Sequence, residues 1–140
     1  MTSEELLCKL VPIVDGFELC KQSVFKTLKF VLSDISDKVD ITRKQAAIII
    51  HEFMRKVLLE EDEPDVSAAR ELKDLYDCRV CVKHIEQMYV KGIMTPMIDR
   101  EQAADTGLPV LFGGNEILSD DEAEAIVKRL SDKYLVQHKS

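Results

Sequence analysis

The segment with the most chemical potential is Cys78-x-x-Cys81, followed three residues later by His84. Zinc ligation needs about four soft nitrogen or sulfur ligands in a tetrahedron, and this segment supplies three. Cys8 or Cys20 would complete the set only if the fold brought the N-terminus close, and no second C-x-x-C pair exists. Core packing accounts for the same residues without a metal. Cys78, Val82, Ile85 and Tyr89 share one helical stripe, as do Cys81, Ile85 and Met88, and free cysteine is among the most buried residue types. A redox pair is the third reading, although no βαβ pattern of the thioredoxin kind surrounds it. None of these residues is assigned to a metal, and no cofactor is expected.

Arg43 stands in the first turn of a helix, where a cation is mildly unfavourable to the macrodipole. A ligand-facing role would explain it, and so would an ordinary solvated side chain. It is the one residue assigned here to ligand binding. The acidic clusters at 60–65 and 120–124 do not fit an EF-hand loop, which alternates oxygen ligands around a central glycine. A helix stop and a helix start explain them. His51 and His138 cannot be joined to a Ser or Cys as a triad, because that geometry is spatial. With no phosphate loop and no dinucleotide fingerprint either, there is no catalytic constellation, and the chain reads as non-enzymatic.

The elements that must position these residues are helices. The chain has 140 residues with 46% apolar and 32% charged, only 5 Gly and 4 Pro, and long stretches without either. That composition is globular and short of turn chemistry for a β fold. A net charge of −7, with lysines interleaved among acids, argues against a nucleic-acid partner. The start lacks the basic and apolar runs of a signal peptide, and no apolar stretch reaches membrane-spanning length. The expected setting is cytoplasmic, or the cell envelope if a signal has been removed, with Cys8, Cys20, Cys78 and Cys81 as reduced thiols.

Thr2 and Glu5 cap a short first helix that ends near Pro12. A second helix is predicted from Phe17 to Asp34, on Cys20, Val24, Leu28 and Val31, with a break at Ser36-Asp37-Lys38. Thr42 and Gln45 open the third, whose face runs Ala46, Ile49, Ile50, Phe53, Met54 and Val57. Ile48 departs from that stripe, so this helix should be buried on more than one side. Glu60-Glu61-Asp62-Glu63 and Pro64 end it. A fourth helix is expected over Ser67 to Tyr76 and a fifth over Cys78 to Lys91, closed by Gly92-Ile93. Residues 94–117 read as an irregular stretch with one helical turn near Asp99 to Ala104. Its Leu108, Val110, Leu111 and Phe112 should pack onto the helices. The last helix starts at Ser119, with Glu122 three residues on.

The segment from Ile41 matches the segment from Leu118. Thr42 pairs with Ser119, Gln45 with Glu122, Ala46 with Ala123, Ile49 with Ile126, Ile50 with Val127 and Phe53 with Leu130. Cap, alanine and stripe agree together, which points to a duplicated helix–loop–helix unit.

Asp40-Ile41-Thr42-Arg43-Lys44-Gln45-Ala46-Ala47 resembles the I-T-R-A-E motif of S-layer homology (SLH) domains. His84 to Met94 is similar to that family's first helix with its glycine–isoleucine ending, and Pro64-Asp65-Val66 to the Asp-Val near a repeat's start. The resemblance covers two repeats, about residues 13–58 and 64–132. It implies helix–loop–helix units, commonly in threes on secreted bacterial proteins, that bind a charged cell-wall polysaccharide, with Arg43 contributing to the ligand site. The second copy carries Asp120 where the motif's arginine would stand.

The expectation is a single all-α domain over 1–140, of about five to six helices in two related helix–loop–helix units. Its function would be interaction with a protein or glycan, as a monomer or weak homodimer, without nucleic acid or membrane. The alternatives are a wall-polysaccharide module and a zinc-stabilised regulator using Cys78, Cys81 and His84.

Overall fold

The first amides of a helix lack partners within the helix, and this chain supplies side-chain acceptors for them at four starts. In the computed structural model, which describes residues 1–17, 21–35 and 38–138, the first helix, α1, spans Ser3–Leu10 behind a Thr2–Glu5 capping box. A 3-10 segment, Val11–Phe17, carries the chain on through Pro12. Helices α2 (Lys21–Thr27) and α3 (Lys29–Ser33) occupy the span predicted as one helix. Thr27 Oγ1 donates to Ser23 O at 2.8 Å, a back-bond that bends helices, and Leu28 leaves the helical angles at ψ 13°. Leu28 and Val24 are buried as the stripe required. Cys20, Ser36 and Asp37 lie outside the described residues.

Helix α4 (Arg43–Glu52) opens on the Thr42–Gln45 box. It then widens into a π turn over Phe53–Val57, with Leu58 N donating to Phe53 O at 3.1 Å. Leu59 takes a left-handed φ of 57° with its side chain in solvent. That reversal lays the acidic run beside the next long helix. Glu60 ion-pairs with Lys133 at 2.7 Å and Lys91 at 3.4 Å, so the run does more than stop a helix.

The helix predicted over Ser67 to Tyr76 is instead two 3-10 turns, Ser67–Glu71 and Leu75–Asp77. The backbone between them is spent on another segment. Leu72 is extended, Lys73 N donates to Val110 O at 2.9 Å, and the Asp74 carboxylate accepts from Phe112 N and Gly113 N at 2.9 and 2.8 Å. Ala69, Leu72 and Leu75 remain buried. A further 3-10 turn, Arg79–Cys81, leads into α5 (Val82–Val90), which ends at Gly92 with φ 71° and buried Ile93 beyond it.

The 94–117 stretch contains α6 (Arg100–Thr106), capped by Asp99 and closed by left-handed Gly107. Ile98 and Leu111 bridge antiparallel across it. Phe112 is fully buried and Val110 packs partly, whereas Leu108 stays in solvent. Helix α7 (Asp120–His138) starts where Ser119 Oγ accepts from Glu122 N at 3.1 Å.

The protein is therefore all-α, with α4 against α1, α3 and α5, and α7 packed on α1. No strand occurs among the described residues, only two isolated antiparallel bridges. One bridge joins the lead-ins of the two matched segments: Leu118 N donates to Ile41 O at 3.0 Å, and Arg43 N to Glu116 O at 2.8 Å. Burial follows the match. Ile41 and Leu118, Ala46 and Ala123, Ile49 and Ile126, and Phe53 and Leu130 are all core. Among the described residues, no helix is long and apolar enough to cross a membrane.

Candidate functional site

Arg43 is not a solvated side chain. It is 3% exposed, and its three nitrogens are all directed into the protein. Nε donates to Phe112 O at 3.0 Å, one terminal nitrogen donates to Thr95 O, and the other pairs with the Glu122 carboxylate. The guanidinium carbon lies 4.9 Å from the centre of the Phe112 ring. Burial pulls its pKa down to about 10, which still leaves it cationic at neutral pH. These contacts clasp the 94–117 stretch and the start of α7 onto α4.

Cys78 and Cys81 are joined by a disulfide, with Cα atoms 5.3 Å apart, so the expectation of reduced thiols does not hold for them. Cys8 is an exposed free cysteine, and Cys20 lies outside the described residues. The three candidate zinc ligands do not converge. His84 is grouped with His51 and Glu52 and with neither cysteine, and its Nδ1 lies 2.8 Å from His51 Nδ1.

That contact is the centre of a cluster. α4 contributes His51 and Glu52, and α5 contributes His84 from its first turn. The potential ligand atoms of these three residues all lie within 4.8 Å of one another. Behind them, His51 Nε2 is 2.7 Å from Asp62 Oδ1, brought there by the reversal at Leu59. His51 is completely buried, and the two imidazoles meet edge to face with centroids 4.9 Å apart.

The hydrogen-bond pattern sets the proton count. A carboxylate can only accept, so the His51 nitrogen that faces Asp62, Nε2, carries a proton. One further proton lies in the 2.8 Å gap between the two Nδ1 atoms. Burial, reinforced by the charge of neighbouring His51, pushes the His84 pKa down to about 4, so its ring stays neutral at ordinary pH. Burial opposes ionisation of Glu52, but its 2.9 Å pair with Lys56 and the two imidazoles bring it below the usual range. Asp62 is shifted in the same direction: burial raises it, and the His51 contact outweighs that.

The cluster is reached from outside. Glu52 and His84 lie on the wall of an open cleft of about 460 Å³ whose rim includes Phe30, Ile48 and Val80. A second cleft of about 440 Å³, beside Tyr89, Gly92 and Pro96, holds no such convergence, and its Asp65 is committed to Ser67 at 2.7 Å.

Sequence reasoning noted His51 only as a possible triad member and did not connect Glu52 or Asp62 with it. One signal was present. Ile48, partly buried at the cleft, marks a second apolar side of α4, and His51 and Glu52 stand three and four residues beyond it, on the same side. Asp62 carried no comparable signal, since it arrives through a left-handed leucine. Comparison with family models, with curated proteins and with solved structures gives no match.

Proposed function

We propose that this chain is a binding module whose ligand is a divalent transition-metal ion, held by His51, Glu52 and His84. The observation that carries this reading is the convergence of two imidazoles and a carboxylate at the wall of a cleft. Two nitrogens bound at right angles to one ion, each at about 2.05 Å, would stand roughly 2.9 Å apart. The two Nδ1 atoms are 2.8 Å apart with one proton between them. An ion would take the place of that proton between the two rings. Asp62 supplies what a ligating histidine commonly has behind it, a carboxylate that fixes its tautomer and orientation. Three protein ligands leave coordination positions open toward the cleft, as in two-histidine, one-carboxylate sites.

Isothermal titration with Zn²⁺ and Co²⁺ tests this. One equivalent should bind, seen as a saturable heat with its midpoint at a one-to-one ratio. At one hundred times Kd the ion should stabilise the fold by about 2.7 kcal/mol. Binding that survives unchanged in His84→Ala and Glu52→Gln would sink the proposal.

A polyanionic glycan partner, which the SLH resemblance implies, has less support. It would need donors from Arg43, and those are taken by Phe112, Thr95 and Glu122. Sedimentation with wall polymer at low salt, compared between the natural chain and Arg43→Ala, is the test for that partner.

A further inference from the structure

The Cys78–Cys81 disulfide has no part in the metal site, and it is not simply core packing. We propose that it is a thiol–disulfide exchange site, acting on thiol-bearing substrates independently of the His51 cluster.

Three features of its placement carry this. First, the two cysteines sit at the ends of one 3-10 turn with Cα atoms 5.3 Å apart. They are separated by only two residues, so opening the bond frees no long loop and the couple can cycle on one backbone. Second, the sulfurs differ in access. Cys81 is 2% exposed, whereas Cys78 is only partly covered and borders a small polar cavity of about 70 Å³ with Lys44, Asn115, Asp74 and Asp77, so a substrate thiolate approaches past carboxylates as well as a lysine. Third, Cys81 is the N-cap residue of α5, and no side chain there accepts a hydrogen bond from the first-turn amides. Other helices of this chain place Thr2, Thr42, Asp99 or Ser119 at that position. Val82 N–H is taken by Arg79 O, but a thiolate on Cys81 would still lie at the positive end of the helix dipole, the setting that lowers thiol pKa values and makes a good leaving group.

The reaction follows from that asymmetry. A substrate thiolate attacks Cys78 Sγ, the one within reach. The Sγ–Sγ bond breaks, its electron pair goes to Cys81 Sγ, and a mixed disulfide remains on Cys78. A second substrate thiolate attacks the substrate sulfur of that mixed disulfide, and the electron pair returns to Cys78. The two protons lost by the substrate thiols end on Cys78 and Cys81. The substrate leaves as a disulfide, oxidised by two electrons, and the protein is reduced by two. In reverse, the dithiol reduces a substrate disulfide. Where cysteines are otherwise kept reduced, a disulfide of this kind is usually catalytic or sensing.

The test uses the full chain with Cys8→Ser and Cys20→Ser, so that only this pair reports. In glutathione buffers of graded ratio, alkylation and mass spectrometry should show the pair passing reversibly between disulfide and dithiol. A pair that stays oxidised in fully reduced glutathione, or stays reduced in fully oxidised glutathione, overturns the proposal. Cys81→Ser should accumulate a mixed disulfide with glutathione on Cys78, and Cys78→Ser should trap at least ten-fold less on buried Cys81. Equal trapping overturns the assigned order of attack. Circular dichroism of both variants checks their folding, and the buffer titration stands without them if either fails to fold.

Discussion

The segments led by α4 and α7 share a frame and differ in what is mounted on it. Both begin at a hydroxyl cap, bury an alanine four residues later, and bury the stripe positions Ile49 and Ile126, then Phe53 and Leu130. Their polar positions have gone separate ways. Where the first has Arg43, the second has exposed Asp120. The third helical position is Gln45 in one and Glu122 in the other, and Glu122 pairs with Arg43 instead of repeating Gln45's role. His51 and Glu52, which face His84, correspond to Lys128 and Arg129, and Arg129 donates to Ile93 O at 2.9 Å. Apolar positions fix how each helix lies, and the polar ones then tie the two together or build a site on one of them.

The strongest way to break this comparison is at Arg43 and Asp120. Arg43→Met keeps much of the volume but leaves the Glu122 carboxylate and the carbonyls of Phe112 and Thr95 without their donor. Removing one partner of a buried ion pair costs about 3–5 kcal/mol, so the urea midpoint should fall sharply. Asp120→Ala, at the matching position, should lower the midpoint far less, because it removes only an exposed first-turn acid from the positive end of α7, a loss of about 0.3–1 kcal/mol. Equal effects at the two sites would show that the copies are not divided into clasp and surface.

A smaller effect separates the histidine pair from its basic counterpart. Unfolded histidine takes up a proton near pH 6.5, whereas folded His84 resists until about pH 4. Its depressed value means that the unfolded state binds more protons between those limits. Stability should therefore be intact above pH 6.5 and fall as the pH drops toward 4, by about 1–2 kcal/mol from this residue. His84→Gln should flatten that part of the profile, read as urea midpoints across pH 4–7. Lys128→Gln, on the α7 copy, should leave the slope unchanged.

What was legible in the sequence follows the same division. Caps and stripes are local, so α1, α4, α5 and α7 are readable from spacing alone, and so is the glycine–isoleucine ending at Gly92-Ile93. The 67–76 segment was misread because its helical pattern competes with a distant partner. Lys73 N and the Asp74 carboxylate are taken by the backbone at 110–113, and no local pattern encodes that pairing. Arg43 was legible as an oddity, a cation at a helix start, but its answer lies in Phe112, Thr95 and Glu122. Cys78, Cys81 and His84 were read together because they are close along the chain. In space the sulfurs join each other and His84 joins His51, since the turn before α5 directs them differently.

The finest test concerns the two caps themselves. Thr42→Ala removes an acceptor from Gln45 N and should cost about 1 kcal/mol by urea denaturation. Ser119→Ala removes the matching acceptor from Glu122 N and should cost somewhat less. The Thr42 cap works with its Gln45 side chain, which accepts from Thr42 N at 2.9 Å, whereas the Glu122 carboxylate is engaged by Arg43. Freed from Arg43, Glu122 can swing back and accept from the backbone N–H of Ser119, completing a box as Gln45 does. Ser119→Ala should then cost more in an Arg43→Met background than alone, by a few tenths of a kcal/mol. A double-mutant cycle resolves coupling of that size only with replicate curves. A coupling of zero would mean that Glu122 gains nothing at its own cap, and that its place in the fold is set by Arg43 alone.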